Sequence, residues 1–139
     1  MNQRRLAPTL GVVACLGEVL ALGVPYVLAD SGRSVGVYYA AGPLNPLVAG
    51  LFALIALIVF AAGREGRTDP GLAAGVTIVL GLFATAIALA WATTVPVDVA
   101  WTATGQVETV ASSHRWVVVG FAALWAVAGG WYARALGVV

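Results

Sequence analysis

The sequence contains no lysine and few charged residues of any kind. Its 7 basic residues are all arginine, its acidic residues number 6, and together they make up 9% of the 139 residues. The absence of lysine excludes Schiff-base catalysis and a Walker-type phosphate-binding loop, because both need that side chain. Since the arginines are scattered, no basic stripe can follow a phosphate backbone, and we predict no nucleic-acid partner.

Cysteine and histidine occur once each, as Cys15 and His114. A single cysteine excludes an intramolecular disulfide and a cysteine-based metal cluster. A single histidine excludes a zinc site of the His-x-x-x-His type, so we predict no metal site and no cofactor. Ser112 and Ser113 precede the histidine, but adjacency is not a catalytic triad and no supporting acid can be placed. We therefore predict that the protein is not an enzyme.

Apolar residues, in contrast, are abundant. Hydrophobic residues make up 61% of the chain, whereas soluble domains average about 45–50% apolar and about 25% charged residues. A soluble fold could not cover its surface with charges spread this thinly. The composition predicts an integral membrane protein whose first partner is the lipid bilayer.

Four apolar stretches are long enough to cross a membrane, namely residues 6–29, 44–63, 71–95 and 116–136. A spanning helix needs about 20 apolar residues, because the hydrocarbon core of a bilayer is about 30 Å thick. The stretches are continuous rather than alternating, which favours helices over the strands of a membrane barrel. We predict an all-α membrane protein in which residues 1–139 form a single domain, a four-helix transmembrane bundle.

The distribution of arginine predicts the orientation of this bundle. Cytoplasmic loops of membrane proteins are enriched in arginine and lysine. With the N-terminus inside, the cytoplasmic side holds Arg4, Arg5, Arg64, Arg67 and Arg134, and the outer side holds only Arg33 and Arg115. We predict a multi-pass protein of the cell membrane with both termini in the cytoplasm.

The two predicted outer loops contain short period-2 patterns. In residues 96–115, Val97, Val99 and Trp101 alternate with other residues, and Gly105 follows at a turn position. Alternation beside a glycine turn is typical of a β-hairpin. A similar alternation in residues 34–39 would add a strand from the first outer loop. We predict a small extracellular β-hairpin, with an irregular loop as the alternative.

Glu18 is the acidic residue that lies near the middle of a predicted span. A charged carboxylate at that depth costs about 2.5–3.5 kcal/mol on insertion scales, so we expect a neutral acid that faces the bundle interior. Its candidate hydrogen-bond partners are Thr77 and Thr85 in the third span. The leading interpretation is a hydrogen bond that joins helices. The alternatives are a proton or ion pathway and a contact with another subunit.

A second group of polar residues lies near the start of the fourth span. His114, Arg115 and Glu108, with Asp98 and Asp30, are candidates for an outer polar cluster. A histidine there could sense pH or bind a metal. We expect it instead to be solvated.

Small residues recur at the spacing that lets helices approach closely. Gly71 and Gly75 form a GxxxG pair in the third span. Alanine and glycine pairs at the same spacing occur at residues 49 and 53 and at residues 126 and 130. Such pairs are typical of helix interfaces in membranes, so we predict a compact bundle.

Three segments give the chain a resemblance to known proteins. They are residues 45–50 (NPLVAG), the inner turn at residues 61–70 (AAGREGRTDP) and residues 130–134 (GWYAR). On these segments the chain resembles the small uncharacterised four-helix membrane proteins of halophilic archaea. The resemblance implies a four-helix membrane fold and carries no catalytic motif, so it implies no activity.

Two functions follow from the sequence as hypotheses. The leading one is a structural or accessory subunit whose helices pack in a homo-oligomer or in a larger membrane complex. The alternative is a small oligomeric transporter or channel component that uses Glu18. The spans offer one acid and a few threonines, too few polar groups to line a pathway, which favours the accessory role.

Overall fold

The computed structural model describes residues 2–139, and this range contains six helices and no strand. Four helices are long and two are short. Their bounds are α1 Gln3–Leu28, α2 Gly32–Ala40, α3 Leu47–Arg64, α4 Pro70–Thr94, α5 Val97–Ala103 and α6 Glu108–Leu136. The prediction of an all-helical fold with four long apolar helices is confirmed.

The four long helices form a bundle in which each packs against two neighbours, in the order α1, α3, α4, α6 and back to α1. All four are long and apolar enough to cross a membrane. The shortest, α3, has 18 residues, which extend about 27 Å at about 1.5 Å per residue. The longest, α6, begins at Glu108, eight residues before the predicted fourth span.

The two ends of the bundle differ. At one end, which we call the capped end, the short helices α2 and α5 pack against each other and against α1 and α6. At the other, the turn end, residues 65–69 connect α3 to α4, and the start of α1 and the end of α6 lie nearby. There Arg4 Nε donates a hydrogen bond to the carbonyl oxygen of Ala135 (3.2 Å). Arg64 Nε donates to Thr9 Oγ1 (2.9 Å), which joins α3 to α1.

Local sequence accounts for where the helices begin and end. The Asp69 carboxylate accepts a hydrogen bond from the backbone N–H of Leu72 (2.7 Å), and Pro70 occupies the first position of α4. Both choices are favourable at a helix start, where backbone N–H groups lack partners. Gly137 ends α6 with a φ of 76°, a left-handed conformation that glycine adopts without strain.

Small residues fill the bundle interior, and large aliphatic residues face outward. Alanine and glycine dominate the buried faces of α3 and α4. The helices α4 and α6 approach each other closely at Gly81, where a Cβ atom would come within 2.6 Å of the Ala126 backbone. The predicted GxxxG pair contributes less, because Gly75 is exposed and a Cβ atom there would contact nothing.

The prediction of a β-hairpin is wrong. The residues that alternate in the two loops form the helices α2 and α5 instead. A second pattern, at helical spacing, explains why: Val35, Tyr38 and Tyr39 are buried in α2, and Ala100 and Ala103 are buried in α5. Residues three and four apart share one face of a helix, so each short helix buries one face against the protein. A period-2 reading would divide these buried residues between two faces.

Candidate functional site

Glu18 is fully buried on the side of α1 that packs against α6. Its carboxyl oxygen Oε2 accepts a hydrogen bond from the indole Nε1–H of Trp125, which is also fully buried. This bond joins two neighbouring long helices in the bundle interior. It agrees with the expectation that Glu18 faces inward and bonds to another helix.

The other oxygen of the same carboxyl group, Oε1, has no hydrogen-bond partner among residues 2–139. Unpaired polar atoms are costly in a low-dielectric interior. A neutral acid reduces that cost because it carries no net charge. Chemically, the group can hold α1 against α6, and it retains one free oxygen that can accept or donate a proton.

The structure does not bring the two predicted threonine partners to Glu18. Thr77 Oγ1 donates to the carbonyl oxygens of Ala73 (3.0 Å) and Ala74 (2.9 Å) on its own helix. Thr85 Oγ1 likewise donates to Gly81 O (2.7 Å). Threonine in a helix commonly bonds to the preceding turn in this way.

Sequence reasoning missed Trp125 as the partner of Glu18. Only hydroxyl and charged side chains were expected as partners, whereas the indole N–H is a donor that an apolar helix can carry without a charge. The available signal was the pairing of a buried acid with a tryptophan in the middle of another span. That signal identifies a candidate donor, but it does not decide which helices are neighbours.

The expectation that His114 is solvated is wrong. The side chain is buried between α1 and α2, with Nε2 at 2.6 Å from the carbonyl oxygen of Ala21 and Nδ1 at 2.9 Å from the Tyr38 hydroxyl. A carbonyl oxygen only accepts, so Nε2 carries the hydrogen in this arrangement. In the neutral ring, Nδ1 then accepts the hydroxyl hydrogen of Tyr38.

The position of Pro25 explains why the Ala21 carbonyl needs this donor. In a regular helix that carbonyl would accept a hydrogen bond from the N–H four residues later, but proline at residue 25 has none. The imidazole of His114 therefore supplies the missing donor from α6. The sequence could have indicated this need, because a proline inside a predicted helix leaves one backbone carbonyl without its helical donor.

Aromatic residues surround His114 and attach α2 to the bundle. The ring centroids of Tyr38 and Trp91 lie 5.0 Å apart in an edge-to-face arrangement. Trp91 Nε1 donates to the backbone oxygen of Tyr38 (3.1 Å), and the Tyr39 hydroxyl donates to the carbonyl oxygen of Leu22. Burial raises the pKa of Tyr38 and of Tyr39 above the usual tyrosine value, so both hydroxyls remain protonated donors.

The predicted outer polar cluster does not form. Arg115 Nη1 donates to the carbonyl oxygen of Val95 (3.2 Å), and its guanidinium lies 5.8 Å from the centre of the Trp116 ring. Glu108 is exposed in the first turn of α6. His114 makes its hydrogen bonds to α1 and α2 and to neither of these charged side chains.

Apolar grooves lie between the long helices at the outer surface of the bundle. One groove of about 450 Å³ runs between α1 and α6, where Leu20, Val24 and Val117 line it together with the edge of His114. A second, of about 310 Å³, lies between α1 and α3. Within residues 2–139, no three histidine, cysteine, aspartate or glutamate side chains come together as a metal site.

Comparison with known proteins identifies a family. A protein-family profile described as a family of unknown function (DUF7548) matches residues 1–137. No curated protein and no solved structure matches the chain. Since the profile covers nearly the whole chain, the protein belongs to the family of unknown function DUF7548.

Proposed function

We propose that the protein is a multi-pass integral protein of the cell membrane that crosses the bilayer four times and acts as a structural or accessory subunit. The observation that carries this proposal is the outward position of large apolar side chains along all four long helices. Leu20 is 70% exposed, Ile58 66%, Leu82 62% and Val127 67%. In water such a surface would be strongly unfavourable, whereas in a bilayer it contacts lipid chains or a partner helix.

The arrangement of charges supports a cytoplasmic location for the turn end. The arginines of the turn end are Arg4, Arg5, Arg64, Arg67 and Arg134, and the capped end carries only Arg33 and Arg115. Under the positive-inside rule this distribution favours both termini in the cytoplasm. The helices α2 and α5 would then lie at the outer face of the membrane.

The accessory role is supported by how the interior polar groups are used. Glu18, His114, Tyr38, Tyr39 and Trp91 all make hydrogen bonds within the protein, and the grooves described above lie outside the bundle rather than along its axis. Interhelical hydrogen bonds and close packing of small residues are the interactions that hold membrane helices together. The outward apolar faces remain available for a second copy or for a larger membrane complex.

One observation favours a second candidate, a transporter or channel component. Glu18 Oε1 is buried and without a partner among the described residues. Intramembrane acids often mark proton or ion pathways. Under this hypothesis the free oxygen would exchange a proton or contact a cation as the bundle opens.

Two further statements from the sequence stay predictions. They are that the protein is not an enzyme and that it resembles membrane proteins of halophilic archaea.

Purification from native membranes tests the two candidates. The tagged protein is extracted in a mild detergent, and co-purifying proteins are identified by mass spectrometry against a control membrane protein with the same tag. A stoichiometric partner that survives stringent washing supports the accessory role. A homo-oligomer whose proton or cation flux in vesicles is abolished by Glu18→Gln would instead favour transport and contradict the accessory role.

A further inference from the structure

A polar cavity of about 310 Å³ lies at the capped end, between α2 and α5. Arg33 contributes to it from α2, and Asp98 contributes from α5. The remaining lining consists of the hydroxyl residues Ser31, Ser34 and Thr102 with two valines. The cavity therefore presents both signs of charge, hydroxyl groups and apolar contact area in one place.

The two charged side chains share this cavity without pairing. Within residues 2–139 the ion pair that the structure contains is Arg64–Glu65, so Arg33 and Asp98 are separated by more than 4.0 Å. Neither side chain makes a hydrogen bond to another described residue. Each charge is thus available to a ligand that reaches into the cavity.

The neighbouring hydroxyl groups are satisfied by the protein itself. The Ser31 hydroxyl accepts a hydrogen bond from the N–H of Ser34 and lies 3.1 Å from the Ser34 hydroxyl. Thr102 Oγ1 donates to the backbone oxygen of Asp98 (3.1 Å). The start of α2 is therefore already capped, and the two unpaired charges remain as the groups with unused binding capacity.

From this arrangement we infer that the cavity binds a small zwitterion, with its anionic group on Arg33 and its ammonium group on Asp98. A simple anion would be attracted by the arginine and repelled by the aspartate. A simple cation would be attracted by the aspartate and repelled by the arginine. A ligand that carries both charges satisfies both side chains. The cavity holds about ten water volumes, a size suited to a phospholipid headgroup such as phosphoethanolamine or to a free amino-acid-sized molecule.

Soluble probes test the charge chemistry. Purified protein in dodecyl maltoside is titrated with O-phosphoethanolamine, inorganic phosphate and ethanolamine, and binding is measured by calorimetry. Because each charged contact contributes on the order of tenfold in affinity, we expect phosphoethanolamine to bind at least tenfold more tightly than either single-charge probe. Equal binding of phosphate and phosphoethanolamine overturns the inference. So does the absence of binding by every soluble probe together with no selective retention of phosphatidylethanolamine in the nanodisc experiment described below.

Matched variants show whether the two side chains carry the binding. Arg33→Gln and Asp98→Asn should each weaken phosphoethanolamine binding about tenfold. Arg67→Gln and Glu108→Gln change the same charges at exposed positions outside the cavity and should leave binding unchanged. All four positions are exposed, so circular dichroism should show the same helix content in every variant. Wild-type affinity in Arg33→Gln and Asp98→Asn would refute the assignment.

A lipid experiment distinguishes the two sources of the zwitterion. The protein is placed in nanodiscs of phosphatidylglycerol with or without phosphatidylethanolamine, and retained lipid is measured by native mass spectrometry. Selective retention of phosphatidylethanolamine, lost in the Arg33→Gln/Asp98→Asn double variant, assigns the site to a headgroup. Binding of the soluble probe alone assigns it to a free zwitterion. The lipid arm rests on the proposed membrane placement, whereas the soluble arm needs only the folded protein, so the two failures can be told apart.

Discussion

The hydrogen bond between Glu18 and Trp125 can be measured with a double-mutant cycle. Glu18→Met keeps the side-chain size without the carboxyl group, and Trp125→Phe keeps an aromatic ring without the indole N–H. Each single variant loses the bond and some packing, and the cycle cancels the packing contributions of the separate changes. Hydrogen bonds between membrane helices are worth about 0.6 kcal/mol on average and about 1.7 kcal/mol at most. We expect a coupling free energy in that range.

The expected single-variant effects are larger than this coupling. Trp125→Phe leaves the buried acceptor Oε2 without its donor, which costs about 1–3 kcal/mol because the group stays desolvated. Glu18→Gln keeps an amide oxygen that can accept from the same indole, so it should lower the free energy of unfolding by less than Trp125→Phe does. The free energy of unfolding can be followed by circular dichroism as sodium dodecyl sulfate is added to mixed micelles.

A matched cycle between Glu18 and Thr85 serves as the control. Thr85→Val removes a hydroxyl that bonds to its own helix, so its effect should add to that of Glu18→Met within about 0.3–0.5 kcal/mol. The reasoning would be refuted if Glu18 coupled more strongly to Thr85 than to Trp125. It would also be refuted if the Glu18–Trp125 coupling were indistinguishable from zero.

Four further outcomes are expected. With Cys15→Ala as background, a cysteine introduced by Thr68→Cys should react with an impermeant maleimide only after the membrane is opened. Labelling in intact cells would contradict the proposed orientation and place the turn end outside. His114→Ala should lower the free energy of unfolding by about 1–3 kcal/mol, because it leaves the carbonyl freed by the helical proline without a donor; an unchanged unfolding curve would contradict this. Gly81→Val should disrupt the contact between α4 and α6 and lower the thermal transition, whereas Gly75→Val, at an open position, should not. Burial raises the pKa of the two buried tyrosines of α2 above the usual value of 10.0. The stability that their protonated hydroxyls contribute should therefore be complete below pH 10 and should fall as the pH rises further. A series of unfolding curves at increasing pH would test this.

The long helices could be read directly from the chain. The signals are the uninterrupted apolar runs, the turn before Pro70 and the capping carboxylate of Asp69. Each acts over a few residues, so it favours the same local structure whatever the helix packs against. The short helices α2 and α5 could not be predicted from the sequence in this way, because apolar residues at period-2 spacing and at helical spacing coexist within segments of 9 and 7 residues. In such short segments the contacts with the bundle decide which period is used.

The candidate site likewise has one part that the sequence predicts and another that depends on tertiary structure. Sequence alone predicted that Glu18 lies deep in an apolar helix. Pro25, which leaves a carbonyl without its helical donor, is visible in the sequence but was not predicted to matter. Only the tertiary structure decided that Trp125 reaches the first group and His114 the second, since each pair joins residues about a hundred positions apart. A buried polar group costs free energy when it has no partner, and local sequence reveals that such a group is present. Which partner it finds depends on the order of the helices around the bundle and on their rotation, and both are set by packing between surfaces that are distant in the chain.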